Sequence, residues 1–344
     1  MAVLGMKHKP FLEAANQQVV ERARKYTQGQ QNSMTFTKGQ ELTNVLWAFA
    51  ILNVPFRDLD TAIAGYMVQV TGGSLTAESI SRVFKRVELA NIAWSCAVFN
   101  NFAPSLMKVL YCGLVGLGGD ERDDKGNLHH YFNDGGLQRE AIMSLIYLQL
   151  ALELEGKDKD LFLPERFPEG WGRQSISSSR DANDLGDTTL ELNLSTSKIQ
   201  RDVSAAFGRI GFEHVVEHVI PMGDLLKNQG VPLSSTPFDV ISIDIANVKA
   251  GISVEVDGPA HFVANIDSGP HKGGFSKVNK GRLEYYFNMN SDRNPVNGPT
   301  ALKMRLLQRL GWKTINIPFW DWYAMNGEAS LEEEYCRRRL AEVL

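Results

Sequence analysis

Val254-Glu-Val-Asp-Gly-Pro-Ala-His-Phe262 is the stretch that decides the fold of the C-terminal part of the chain. Apolar and polar residues alternate along it until Gly258 and Pro259 break the pattern. Such alternation predicts a strand that ends in a turn. A second alternating run, Phe238–Ile245, lies a short turn upstream. The two runs predict a hairpin in which Glu255 and Asp257 project from one face.

The residues on either side of this hairpin predict a mixed α/β domain over residues 197–344. Ser197–Ile210 is an amphipathic helix that Gly211 stops, and His214–Ile220 is a short strand. Downstream, Thr300 is the predicted cap of a helix that runs through Leu310, and Lys313–Pro318 is a further strand.

The N-terminal part of the chain contains an internal repeat instead. Glu41–Leu52 is matched by Glu88–Phe99, 47 residues further along, with Glu, Leu, Asn, Trp and Ala at corresponding positions. Apolar residues return every three or four positions in both segments, which predicts helices. A looser third copy spans Arg139–Leu152 and has Tyr147 at the tryptophan position.

A second helix is expected after each of the first two copies. Leu59–Val70 follows the first copy with Asp58 as its cap, and Ser105–Leu114 follows the second with Pro104 in its opening turn. Helix-turn-helix units of this kind cannot bury their apolar faces alone, so residues 1–154 are predicted to stack into an α-solenoid. Trp47 and Trp94 lie on apolar stripes, which favours packing over base stacking.

Composition restricts the class of protein further. Residues 155–196 are rich in Gly, Asp, Ser, Arg and Pro and predict an exposed linker. The net charge is −4, so any contact with nucleic acid must be local. No apolar run is long enough to span a bilayer, and no targeting sequence is readable. The three cysteines lack CxxC spacing, which argues for a reducing compartment and against structural zinc.

Two resemblances to known families follow from these motifs. Together with the hairpin, Gly298-Pro-Thr-Ala-Leu-Lys303, Leu310-Gly-Trp312 and Ile317-Pro-Phe-Trp-Asp-Trp322 resemble a RAP domain, a module similar in fold to the PD-(D/E)xK restriction-endonuclease-like enzymes. The Glu-Leu-x-Asn-x-x-Trp-Ala pattern resembles the repeats of octotricopeptide and FAST-kinase-like organellar proteins. The expected fold is therefore a helical-repeat solenoid followed by a RAP domain.

These resemblances imply an RNA-binding protein of a mitochondrion or plastid. The implied roles are RNA processing or stability, or membership of an organellar ribosome. The implied partners are organellar rRNA or mRNA and ribosomal or other ribonucleoprotein proteins. A protein-binding helical scaffold is an alternative interpretation of the repeats.

A metal-dependent RNA endonuclease is the second functional hypothesis. Asp244, Glu255 and Asp257 are predicted to converge and would then hold Mg²⁺. Lys303 and His261 are candidate helpers in catalysis. However, the nuclease signature places lysine two residues after the acid, where this chain has Asp257. Binding is therefore favoured over cleavage. In a purely structural interpretation, Asp257 accepts hydrogen bonds in its turn and Asp244 pairs with His261, Lys303 or an amide.

The candidate RNA-binding residues are basic or aromatic. The aromatic candidates, Trp320 and Trp322, are equally suited to stacking on bases and to packing in a core. The stretch between Phe262 and Gly298 is a basic insertion that supplies most of the cationic candidates. These cationic candidates are His261, Lys272, Lys277 and Lys280.

Overall fold

The computed structural model of the protein describes two compact units, Met1–Leu185 and Gly186–Leu344. Most of the predicted linker, from residue 157 to 196, lies outside the described residues. The residues described are 6–29, 39–56, 58, 62–73, 76–115, 139–156, 197–221, 239–265, 275–279, 282–285 and 295–344.

The N-terminal unit is helical throughout most of its described part. No helix among the described residues of the chain is long and apolar enough to cross a membrane. A two-residue strand, β1 (Met6–Lys7), precedes the helices. They are α1 (Lys9–Thr27), α2 (Gly39–Ile51), α3 (Ala64–Val70), α4 (Ala77–Ser81), α5 (Arg86–Phe99), α6 (Pro104–Val115) and α7 (Arg139–Glu155).

The helices predicted from the internal repeat are confirmed. The two matching segments form α2 and α5, and the looser third copy forms α7. α5 packs against α2, α6 and α7, and most of its apolar residues are buried. Trp47 and Trp94 are half-buried on this framework. A solenoid with a concave binding surface remains a prediction.

The helix expected after the first repeat differs from its prediction. Helix α3 begins at Ala64 rather than Leu59, and its N-terminal neighbour Ile63 provides no side-chain cap. Asp58 is not the cap: it adopts a left-handed backbone with φ 57°, and its carbonyl accepts a 2.9 Å hydrogen bond from the amide of Ala62. Aspartate tolerates this conformation better than most residues do. The sequence pattern therefore placed the start of this helix at Leu59, five residues before its observed start at Ala64.

The C-terminal unit follows the order predicted from its sequence. Its described helices and strands are α8 (Lys198–Arg209), β2 (Val215–Pro221), β3 (Asp239–Asn247), β4 (Ile252–Asp257), β5 (Ala264–Asn265), β6 (Phe275–Asn279), β7 (Arg282–Tyr285), α9 (Gly298–Arg309), β8 (Lys313–Pro318), α10 (Phe319–Ala324) and α11 (Ala329–Ala341). A four-stranded sheet has the order β2-β3-β4-β8, in which β4 and β8 are parallel and the other neighbours antiparallel. A separate hairpin pairs β6 with β7.

One face of this sheet forms the apolar core. Val254 and Val256 of β4 pack there with Ile315 and Ile317 of β8, beneath residues of α8 and α11 such as Phe207. Because side chains alternate along a strand, the residues between these valines project from the opposite face. The sheet therefore has one apolar face and one face that carries polar side chains.

Helix α9, which follows the basic insertion, has its cap at Asn297, three residues before the predicted cap Thr300. The side-chain oxygen of Asn297 accepts a 3.0 Å hydrogen bond from the amide of Thr300. Pro299 occupies the first turn, where its missing N–H has no helical partner to lose. This start places Lys303 in the second turn of α9.

Candidate functional site

The candidate site lies on the polar face of the C-terminal sheet. Ser253, Glu255 and Asp257 alternate with the core valines of β4, and all three are buried. Asn316 of β8 lies beside Asp257, since the two strands pair Glu255 with Asn316 and Asp257 with Pro318. Buried polar groups on a sheet require partners, and those partners determine what the site can do.

Glu255 forms an ion pair with Lys303 of α9. The carboxylate is 4% exposed, and its Oε2 accepts a hydrogen bond from the lysine ammonium. Its second oxygen, Oε1, is buried without a hydrogen-bond partner. Burial raises the pKa of Glu255 to about 8, and the nearby Asp244 and Asp257 add to this effect, although Lys303 opposes it. The site therefore holds a carboxyl group that is easily protonated.

Asp257, two residues after Glu255 on β4, is held by two neighbours. It is 2% exposed, and its Oδ2 accepts a 2.9 Å hydrogen bond from the side-chain amide of Asn316. Its Oδ1 lies 3.2 Å from Nδ1 of His261, whose side chain is 45% exposed. The same ring nitrogen lies 3.0 Å from the hydroxyl of Thr300. Asp257 is thus linked to the first turn of α9 through the ring of His261.

Asp244 completes the group from the neighbouring strand. Its Oδ2 accepts a 2.8 Å hydrogen bond from the backbone amide of Val256. Burial raises the pKa of Asp244 and nearby Glu217 adds to it, whereas Lys303, the amide of Val256 and His261 oppose the shift. The carboxylate of Asp244 therefore links β3 to β4 through a backbone amide, which is one of the pairings that the purely structural interpretation predicted.

Asp244, Glu255 and Asp257 lie close enough together for the charges of Asp244 and Asp257 to raise the pKa of Glu255. Among the described residues, no group of three or more His, Cys, Asp or Glu side chains is arranged to hold a metal. One oxygen of each acid is already engaged, by Lys303, Asn316 or the amide of Val256. A role for these carboxylates as Mg²⁺ ligands therefore stays a prediction.

The two tryptophans proposed to stack on RNA bases are buried. Trp320 is 7% exposed and its ring centroid lies 4.3 Å from that of Phe262. Trp322 is 4% exposed and belongs to the main core with Tyr335. Neither ring offers a face to solvent, so base stacking does not fit this structure. The residues after Pro318 form helix α10, whose positions 320 and 322 point to opposite sides, so Trp320 packs in a small cluster with Phe262 and Trp322 packs in the main core.

Sequence reasoning missed Tyr323 on the same helix. It is 58% exposed, and its ring forms an edge contact with that of Phe319, one turn earlier, at a centroid distance of 6.2 Å. The spacing of four residues would have revealed this pair if the segment had been interpreted as a helix.

The remaining cationic candidates are only partly within the described residues. Lys272 and Lys280 lie outside them, and Lys277 lies in β6, where only the backbone is described. His261 and Lys303 are therefore the candidate cations that the structure places at the site. Their side chains are 45% and 26% exposed.

Comparison with known proteins agrees with the C-terminal motifs. Residues 254–337 match the family model of the RAP domain. The matched region begins in β4 and ends in α11, so it includes Glu255, Asp257, His261 and Lys303. RAP domains are generally RNA-binding domains. No curated protein matches the chain.

Proposed function

We propose, from the premise that this chain carries a RAP domain, that it binds RNA through its C-terminal unit and acts as a contact platform rather than a nuclease. The RAP match over residues 254–337 is the observation that carries this proposal. The matched region includes β4, α9 and β8, which carry the polar cluster, so the RNA-facing surface is expected beside that cluster.

The geometry of the polar cluster supports binding over cleavage. Lys303 is paired with the buried Glu255, and Asp257 is held by Asn316 and lies beside His261. The three acids are therefore structural groups beneath a surface, and the exposed parts of His261 and Lys303 lie above them. A lysine ammonium and an imidazole near the first turns of a helix are suitable contacts for a phosphate.

The proposal extends to the location of the protein in the cell and to its role there. By resemblance of the repeats to those of organellar proteins, we infer a mitochondrial or plastid location and a role in RNA processing or stability, or within an organellar ribosome. A net charge of −4 supports a role in which other components supply part of the RNA contact, because neutral proteins bind phosphate backbones weakly alone. Imaging of the full chain with organelle markers tests this location.

Crosslinking of the full chain to RNA in cells, followed by mass spectrometry of the crosslinked peptides, tests the central proposal. Crosslinks are expected in peptides from residues 254–337. His261→Ala should weaken binding of single-stranded RNA by about 2- to 10-fold, the loss of one polar contact. Lys249→Ala is the matched control, since Lys249 is an exposed cation of the same unit away from the cluster, and it should bind like the wild type.

Two results would replace this proposal with one of the alternatives. Cleavage of labelled RNA in the presence of Mg²⁺ or Mn²⁺, lost in Glu255→Gln, would identify an endonuclease. The absence of RNA crosslinks from cells, together with stable association with other proteins, would identify a helical scaffold. Binding without cleavage supports the platform.

A further inference from the structure

Two parallel strands of the C-terminal unit end side by side at one edge of its sheet. Asp257, the last residue of β4, pairs with Pro318, the last residue of β8. The chain continues from β4 into His261 and from β8 into helix α10. In open α/β sheets, ligands bind beyond the carboxyl ends of the strands. The surface formed by the residues after β4 and β8 is therefore suited to a ligand.

A cluster of aromatic rings joins the two segments beyond this edge. The ring centroids of Phe262, which directly follows His261, and Trp320 of α10 lie 4.3 Å apart, and both side chains are buried. Phe319 packs against the pair, at centroid distances of 6.1 Å from Phe262 and 5.1 Å from Trp320. These contacts fix α10 beside His261, whose side chain is 45% exposed. One side chain of the proposed RNA contact and α10 are therefore neighbours.

Tyr323 extends this aromatic cluster to the surface of the protein. Its ring forms an edge contact with that of Phe319, at a centroid distance of 6.2 Å and an angle of 71° between the ring planes. Tyr323 lies three positions after Trp320, so their side chains leave α10 in neighbouring directions. Trp320 is nevertheless 7% exposed and Tyr323 58%. The tyrosine is thus held by one ring and leaves more than half of its surface open to solvent.

The exposure of Tyr323 indicates the kind of ligand that this surface binds. Among the aromatic side chains that the structure describes in the C-terminal unit, Tyr323 is the exposed one. An exposed ring loses the stabilisation that burial gives to an aromatic side chain. Its flat face is suited to another flat ring, and the neighbouring His261 is suited to a phosphate. Flat rings that are joined by phosphates and have uncovered faces occur in the unpaired segments of RNA.

We propose that Tyr323 stacks on an unpaired base of single-stranded RNA whose backbone His261 contacts. This inference rests on the proposed function, because it assumes that the C-terminal unit binds RNA at this surface. It names the class of RNA, which is a strand with at least one unstacked base at the site. The bases inside a duplex are covered on both faces by their neighbours, so a duplex offers Tyr323 no base to stack on.

Affinities of full-length variants for a single-stranded RNA oligonucleotide, and for the same sequence as a duplex, test this inference. Tyr323→Leu should weaken single-strand binding by about 5- to 100-fold, the effect of losing one stacked base. Its affinity for the duplex should equal that of the wild type. Tyr323→Trp should bind the single strand at least as tightly as the wild type, because stacking requires an aromatic face and not a hydroxyl. Leucine still covers Phe319, so a tyrosine that only shields the cluster would leave both affinities unchanged.

Oligonucleotides that each lack one base test the stacked base with an unaltered protein. The wild type should bind more weakly when the missing base is the one that stacks on Tyr323, and Tyr323→Leu should cause no further loss there. Phe11→Leu, which removes a 55% exposed ring from the N-terminal unit, is the matched control and should bind like the wild type. Equal affinities of wild type and Tyr323→Leu for the single strand, or equal losses for single strand and duplex, would overturn this inference and leave the proposed function standing. Failure of the wild type to bind any RNA would overturn both.

Discussion

Replacing Glu255 by glutamine should change how the stability of the C-terminal unit depends on pH. The ordinary pKa of this carboxyl is 4.5, and burial raises it to about 8 in the folded protein. The folded state therefore holds the proton more tightly than the unfolded state does. The associated stability is fully present below pH 4.5 and is lost as the pH rises from 4.5 toward 8.

The expected magnitude follows from the size of the shift. One pKa unit corresponds to about 1.4 kcal/mol, and the window between pH 5 and pH 7.5 covers most of the shift. The wild type should therefore lose about 3 kcal/mol of unfolding free energy over this window through Glu255 alone. Glutamine keeps the shape and accepts a hydrogen bond from Lys303 but does not titrate. Asp244, whose pKa burial also raises, remains in both proteins, so its contribution largely cancels in the difference.

Hydrogen-exchange mass spectrometry in urea at pH 5 and pH 7.5 measures this effect, because peptides from β4 report on their own unit. Glu255→Gln should resemble the wild type at pH 5 and become about 3 kcal/mol more stable relative to it at pH 7.5. Glu334→Gln, an exposed glutamate of α11, is the matched control and should follow the wild type. A difference between Glu255→Gln and wild type that does not vary with pH would refute the reasoning.

Two further predictions concern packing in each unit. Gly39→Ala should lower the unfolding free energy by about 1–3 kcal/mol, because an added Cβ would lie 2.5 Å from the ring of Phe84. Gly208→Ala in α8 is the control, because no atom lies within 4 Å of its added Cβ. Thermal melts should show this second variant to be neutral or stabilising. Trp322→Ala should lower the free energy of unfolding in urea by about 3–5 kcal/mol, since it leaves a cavity in the core. Tyr323→Ala, at a 58% exposed position, should lower it far less. Similar losses of stability for both variants would contradict the described orientation of α10.

The sequence alone was sufficient for most of the secondary structure. Alternation in β4 and β8 and the three- and four-residue spacing of α2 and α5 are local signals, and the structure contains these elements at nearly the predicted bounds. Alternation also predicted that Glu255 and Asp257 share a face of the sheet. The starts of two helices were predicted wrongly, because Thr300 and Asp58 are residue types that often cap helices. In the structure Asn297 caps α9 instead, and Asp58 lies in a turn before α3.

Only the tertiary structure decided which side chains meet. Lys303 and Glu255 are 48 residues apart in the chain, and no periodic pattern reveals that they pair or that Asp257 has Asn316 as its partner. The burial of Trp320 and Trp322 likewise depends on the direction in which α10 leaves β8. Periodicity reports which face of an element is apolar, whereas partners and cavities arise from contacts between elements that are distant in sequence.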